Sequence, residues 1–264
     1  MGNPLVSVLM PVYNEELYVR TALDSILAQT YKNYEVIIIN DASEDGTAEM
    51  VKPHLNKCVK MISMIRNLGK AVCLNWGLTM ANGRYILEMD GDDWLEPEAL
   101  EVLVKEGERL PEEVAYIYSD RRVYYQDRKG RLKFHHVSKG VSFIDRYRFL
   151  STLRAYGPRF IRKKVLSSIG GWPVDYPTRG RLFEDFALVL KLLDQYKFSY
   201  VPRCLYNIRR HGENISKVNK KLWWPVCKVV VDEALIRWGG EYRAVITNKR
   251  SKFRLLRNYD QTGS

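Results

Sequence analysis

The sequence predicts an α/β fold: a mostly parallel central sheet flanked by helices, with a basic, helical extension at the C-terminus. Three observations carry this. Short apolar runs alternate with amphipathic stretches over residues 5–110, the rhythm of βαβ units. No run approaches the ~20 apolar residues that a bilayer crossing needs, so the apolar segments belong to a globular core. The net charge of +11 is uneven, because residues 217–264 hold 11 Lys and Arg against 4 Asp and Glu, and the rest hold 31 against 27.

The first apolar run, Leu5–Met10, is closed by Pro11 and reads as a buried strand. Asn14 is placed to cap a helix over Glu15–Gln29, where Val19, Ala22, Leu23, Ile26 and Leu27 recur at helical spacing and acids crowd the first turn. Tyr34–Asn40 is a second buried strand, followed by the polar turn Asp41–Thr47 and a helix near Thr47–His54. Val59–Met64 is a third strand, Lys70–Ala81 a helix, Arg84–Met89 a fourth strand and Pro97–Arg109 a further helix. The rhythm then breaks. Val114–Ser119 and Arg122–Gln126 read as two strands, Asp127–Lys139 as a basic loop in which His135 and His136 are surface residues, and Ser142–Leu153 as a helix. Gly170–Pro173 and Asp175–Gly180 form a loop before a second amphipathic helix, Leu182–Tyr196, and Pro225–Trp238 is the last helix.

The chemistry gathers behind the strands. In open α/β sheets ligands bind beyond the carboxyl ends of the strands. The loops after the first, second and fourth strands carry Pro11-Val12-Tyr13-Asn14-Glu15, Asp41-Ala42-Ser43-Glu44-Asp45-Gly46 and Asp90-Gly91-Asp92-Asp93. In a parallel sheet all three share one edge. Carboxylates as crowded as Asp90, Asp92 and Asp93 repel one another unless a cation sits among them. A hard divalent ion that keeps substrate phosphates in its shell is the common answer. Any one of these loops alone could be turn chemistry; the three together favour a site.

Four stretches in order and spacing now carry a resemblance: Val8–Glu15, Asn40–Thr47, Asn67-Leu68-Gly69-Lys70 with Asn75 and Gly77, and Asp90–Asp93. The chain resembles the family 2 glycosyltransferases of GT-A fold, a Rossmann-like architecture. The resemblance implies inverting transfer of a sugar from a nucleoside diphosphate sugar, usually a UDP-sugar, to an acceptor hydroxyl, with Mn²⁺ or Mg²⁺ as cofactor. It implies a donor-binding half over 1–110, an acceptor-binding half of the same domain over 111–216, and the basic extension over 217–264. By that pattern Pro11, Tyr13 and Glu15 border the nucleoside, Asp41 holds the base, and Asn67 and Lys70 sit near the nucleotide. Asp90 with Gly91 faces the ribose or sugar, and Asp92 binds the metal; Asp93 stays open between ligation and capping of the next turn. A weaker continuation, Gly170-Gly171-Trp172 and then Glu184-Asp185, implies Asp185 as the base and Glu184 as its neighbour, although two acids in a first helical turn are ordinary. The stretch Arg209–Ser216 resembles a late motif in which His211 is a metal ligand or diphosphate contact and Arg209 or Arg210 neutralises phosphate.

The implied partners are the nucleotide-sugar donor, a saccharide or lipid-linked acceptor, and an anionic membrane surface for the tail, where Trp223, Trp224 and Trp238 stand among basic residues. The last ~15 residues are expected to be free for that contact. Four cysteines without metal-type spacing and a start without a basic-then-apolar leader give an expectation of a cytoplasmic protein, which the basic tail would make peripheral on the inner membrane face. The resemblance implies a role in bacterial surface polysaccharide or glycoconjugate assembly. Two alternatives rank lower. A sugar-1-phosphate nucleotidyltransferase would carry a glycine-rich basic loop after the first strand, and here that loop has neither glycine nor cation. A non-catalytic nucleotide- or membrane-binding scaffold would rest on charge alone. No helix-turn-helix, zinc-finger or RNP-type pattern occurs, so nucleic acid is not an expected partner.

Overall fold

The computed structural model describes residues 4–127, 129–143, 145–150, 152, 156–175, 178–212, 221–247 and 252–258. Its elements run β1 (Val6–Val12), α1 (Val19–Leu27), β2 (Tyr34–Asn40), α2 (Thr47–Val51), β3 (Val59–Ser63), α3 (Lys70–Met80), β4 (Tyr85–Glu88), β5 (Trp94–Leu95) and α4 (Ala99–Arg109). Then come β6 (Val114–Gln126), β7 (Leu132–Ser138), α5 (Arg146–Leu150), β8 (Arg159–Arg162), α6 (Lys163–Ser168), α7 (Glu184–Leu192), β9 (Lys197–Arg210), α8 (Trp223–Arg237), β10 (Tyr242–Thr247) and β11 (Lys252–Arg257).

The main sheet has the order β3-β2-β1-β4-β8-β6-β9-β5, with β7 added to β6. Its β3-β2-β1-β4 half is parallel throughout, so the ends of β1, β2 and β4 open on one edge, as the alternation of elements predicts. Strand residues alternate between two cores. Leu9, Ile37, Ile39 and Ile86 face the side covered by α3, α7 and α8. Val8, Met10, Val36, Ile38 and Leu87 face the side covered by α1 and α4. A sheet buried on both faces explains why its strands read as continuous apolar runs.

Several sequence expectations are corrected. Helix α1 starts at Val19 with no acid in its first turn, and Asn14 does not cap it. Asn14 adopts a left-handed conformation (φ 55°). There its backbone N–H donates to Ser43 Oγ and its Oδ1 accepts from Glu44 N–H, which ties the first loop to the second. The two strands expected over 114–126 are one, and the basic loop over 127–139 contains β7. Strands β8 and β9 were not expected from the sequence, since Arg159, Arg162 and the many polar residues of β9 mask their pattern. The helix expected over 142–153 is described only as α5. In the tail, Lys252–Arg257 pairs with Tyr242–Thr247, so the stretch expected to be free includes a paired strand. Residues 213–216 of the late motif lie outside the described residues. All four cysteines are free thiols.

One clamp joins the two halves of the domain. Asn75 on α3 accepts from Trp172 N–H through Oδ1 and donates to Trp172 C=O through Nδ2, each at 2.8 Å. The chain reaches that position through Gly171 at φ +76°, where an added Cβ would stand 2.2 Å from Asn75 Oδ1. A Gly171→Ala protein should therefore lose about 2 kcal/mol or more of stability, combining left-handed strain with a clash against a half-buried amide. Urea unfolding beside the parent chain measures this, and an unchanged midpoint would mean that the clamp does not hold the halves together.

Candidate active site

The site grows from Glu88, the last residue of β4, a carboxylate 1% exposed at the end of an apolar strand. Burying a charge there demands partners. Arg159 on β8, antiparallel to β4, places Nη2 2.8 Å from Glu88 Oε1. Lys70, the first residue of α3, places Nζ 3.0 Å from the same oxygen, and the indole N–H of Trp172 donates to Oε2 at 2.8 Å. Burial disfavours the Glu88 anion, yet Arg159 and Lys70 hold its pKa below the ordinary value.

The same two cations reach outward to the loop residues. Lys70 contacts Asp90 Oδ1 and lies 3.4 Å from Glu184 Oε1. Arg159 lies 3.1 Å from Asp90 Oδ2 and 3.8 Å from Asp185 Oδ2. Burial works against both cations, but Asp90 and Glu88 raise the Lys70 amine, and Glu88, Asp90 and Asp185 raise Arg159, well above their ordinary values. Asp90 is held far below the carboxylate range by Lys70 and Arg159 despite its burial. Glu184 differs: burial pushes it up to about 7, against the pull of Lys70. Asp185 accepts from Phe186 N–H at the start of α7 and keeps 30% of its side chain exposed.

A second group lies beside the first. Asp92 Oδ2 is 3.0 Å from His211 Nε2, and the His211 ring lies 4.5 Å from that of Tyr18. Glu15 is largely buried next to Asp92, Asp90 and Asp93, and its Oε2 has no hydrogen-bond partner. Burial first, and then Asp92 and Asp90, push its pKa up to about 9. Asp93 accepts from Arg209 N–H at 2.8 Å, so its carboxylate anchors β9, and burial with Asp92 pushes it well above the ordinary value. Arg209 donates from Nε to the Asp92 carbonyl, with its guanidinium carbon 5.0 Å from the Tyr18 ring and 5.2 Å from the Trp94 ring. That placement makes it a buried clamp on the loop, whereas Arg210 is exposed.

The remaining expected residues line the same edge. Pro11 and Asp41 are buried, and Tyr13 is 43% exposed. Asp41 accepts from Leu68 N–H and Gly69 N–H through its two oxygens, which shapes the 67–69 turn. Asn67 is held by Arg181, whose Nη2 donates to the Asn67 carbonyl at 2.8 Å. A Cβ on Gly91 would stand 2.8 Å from Val12 Cγ1, so this loop packs directly on the first. Sequence reasoning missed Glu88 and Arg159. The available signal was a lone carboxylate in Tyr-Ile-Leu-Glu-Met and a pair of arginines in Arg-Phe-Ile-Arg.

Among the described residues no three His, Cys, Asp or Glu side chains converge as a complete metal site. The residues nevertheless fit a cation that keeps phosphate ligands: an Asp–His pair, and an unpartnered buried Glu15 oxygen amid three further carboxylates. Glu15 supplies a test without activity. With a folded pKa near 9 against an ordinary 4.5, it adds stability that is complete below about 4.5 and is lost as pH rises through 9. Glu15→Gln should flatten that slope and stabilise the metal-free chain at pH 8 by on the order of 2 kcal/mol. Urea titrations across this range would disprove the repulsion if the two slopes coincide.

The model of glycosyl transferase family 2 matches residues 7–170. Hyaluronan synthase of Pasteurella multocida is 31% identical over 242 residues, covering 90% of this chain and 24% of that protein. The chain spans about a quarter to a third of the length of the first curated relatives it matches. Among solved structures, S. aureus TarS 1-349 in complex with UDP-GlcNAc superposes with a TM-score of 0.67 at 21% identity, over 87% of this chain and 66% of that one. The mannosyltransferase PcManGT from Pyrobaculum calidifontis, in complex with GDP-Man and Mn²⁺, gives 0.61 at 19% identity, over 90% and 65%. These likenesses show the GT-A fold. The chain belongs to glycosyl transferase family 2.

Proposed function

We propose that this chain carries an inverting, metal-dependent glycosyltransferase activity, moving a sugar from a nucleoside diphosphate sugar to a hydroxyl of a saccharide or lipid-linked acceptor. The observation that carries the reading is the bridge made by Arg159 between Asp90 and Asp185. It sets a donor-facing carboxylate and a second, equally exposed carboxylate on either side of one buried guanidinium. The UDP-GlcNAc complex of TarS supports a UDP-sugar donor, and hyaluronan synthase supports polysaccharide synthesis.

Asp185 is the base. As its carboxylate takes the acceptor proton, the acceptor oxygen forms a bond to the anomeric carbon from the face opposite the diphosphate. The bond from that carbon to the phosphate oxygen breaks, and the nucleoside diphosphate departs with the electron pair. Asp92 and His211 would hold Mn²⁺ or Mg²⁺, with Glu15 nearby. The ion supplies Lewis-acid stabilisation of charge on the leaving diphosphate. Lys70 and Arg159 keep Asp90 ionised for the donor, and Glu184 positions Lys70.

Titration with UDP, with and without Mn²⁺, tests the donor site. Mn²⁺ should tighten UDP binding in the parent chain, and Asp92→Ala should abolish that gain. A chain that binds GDP and not UDP would reassign the base, and one that binds no nucleoside diphosphate would overturn the reading. Asp185→Asn should keep UDP binding while transfer falls by about 10²-fold or more, the usual share of a positioned base.

The basic extension is assigned to an anionic lipid surface on its charge. Arg243 and Arg257 are exposed there. Reversing both to Glu should weaken sedimentation with phosphatidylglycerol vesicles by several-fold. Equal sedimentation would remove the membrane from the list of partners.

A further inference from the structure

The charge of this chain has a second focus, away from the tail. From Arg121 to Ser138 the sequence holds six Lys and Arg, one Asp and two His. Residues 1–216 hold 31 cations and 27 acids, so this segment accounts for the whole basic excess of the body. It forms the β6–β7 arm. All of Leu132–Val137 is exposed, as are Tyr125, Leu132 and Phe134 at 51%, 43% and 55%. Strand β7 is an edge strand added to β6, whose other side pairs with β9, and large apolar side chains held in water at this outer end mark a contact surface.

Register shows what one face presents. Arg121 opposes Ser138, Val123 opposes His136 and Tyr125 opposes Lys133, with His135 as the extra residue of a bulge. Residues two apart on a strand share a face. Arg121, Val123 and Tyr125 therefore line up with Ser138, His136 and Lys133. The Tyr125 ring lies 4.7 Å from His135, and His135 lies 4.8 Å from His136. The inner end of this strip enters the site. Arg121 donates to Ser138 Oγ at 3.3 Å, and a Cβ on Gly157 would stand 3.7 Å from Arg121 Cδ and 3.8 Å from Arg159 Nη1. Both arginines thus flank Gly157, and Arg159 is the residue that faces Asp185. Burial first, and then Arg159, press the Arg121 guanidinium below its ordinary value, a strain that an anion between them would relieve.

We propose that this face of the β6–β7 arm is the track for an anionic saccharide chain, the acceptor, running from Tyr125 and Lys133 inward past Arg121 to the hydroxyl that Asp185 deprotonates. The proposal rests on the transferase reading for its last step and on the arm alone for the rest. Cations along the strip match carboxylates or phosphodiesters spaced along a sugar chain, and the Tyr125 ring offers a flat surface to a sugar face. Continuity with Arg159 distinguishes a saccharide acceptor from a lipid surface, because only a chain threads from the arm to the base.

Fluorescence anisotropy with the full chain tests this, using a labelled hyaluronan octasaccharide, a labelled poly(glycerol phosphate) of similar length and a labelled neutral chitin hexasaccharide. At least one anionic chain should bind more tightly than the neutral one and weaken as salt rises. The stronger of the two identifies carboxylate or phosphodiester as the recognised group. Tyr125→Ala with Lys133→Glu should weaken that binding by about tenfold, as expected for losing a stacked ring and reversing a surface charge, with UDP binding unchanged. Equal binding of neutral and anionic chains, an arm variant that binds like the parent, or binding of anionic vesicles alone would each overturn it. A parent chain that binds UDP and no anionic saccharide removes the track and leaves the transferase. Arm-dependent saccharide binding without any nucleotide binding does the reverse.

Discussion

Everything at the open edge of this sheet depends on the burial of one negative charge. Glu88 has no access to water, so its neighbours must supply what water would. They do so with a cation from α3, a cation from β8 and an indole N–H from the 170–173 loop. These three come from parts of the chain that share no local sequence. Satisfying Glu88 therefore draws the helix after the third strand, the antiparallel strand and the loop before α7 to one point. Once there, Lys70 and Arg159 still have donors to spare: both hold Asp90 ionised, Lys70 also reaches Glu184, and Arg159 also reaches Asp185. Removing one member of such a network leaves an uncompensated buried charge, which costs about 3–5 kcal/mol.

The two sides of the site differ in electrostatic character for the same reason. Around Glu88 the cations and anions are interleaved, and the Asp90 carboxylate is held ionised. Around Asp92 the acids outnumber their partners, and Glu15 and Asp93 are pushed towards the neutral form. One side is complete without a ligand, and the other is poised for positive charge. Arg209 adds little relief, since its guanidinium is sandwiched between Tyr18 and Trp94 and bound to a carbonyl.

The first half of the chain was legible in the sequence because its signals are local. Apolar runs of five to seven residues, each followed by a polar turn, placed β1 to β4 within a residue or two, and the loops between them named most of the acidic residues. The second half was not legible in this way. Strand β8 carries Arg159 and Arg162 with both ends buried, so its polarity argues against a strand until the partners of those arginines are known. Strand β7 has no buried face and hence no period to read. Asn14 carried the composition of a helix cap, but tertiary bonds to Ser43 and Glu44 claimed it first. Asp185 and His211 were found by resemblance, and only the fold shows what surrounds them.

Arg181 closes over the turn that Asp41 shapes. Its Cγ would lie 2.8 Å from a Cβ on Gly69, and its guanidinium holds Asn67. Two residues later the backbone passes through Phe183 at φ 63° and enters α7 with Glu184 and Asp185. The 67–69 turn and the helix that opens with Glu184 and Asp185 thus share a side chain and a strained residue. A ligand that changes the shape of one acts on the other, and reciprocity requires the second to act back by the same free energy. Under the proposed reading, the affinities of donor and acceptor are linked quantities, and a constant measured for either one holds only at a stated occupancy of its counterpart.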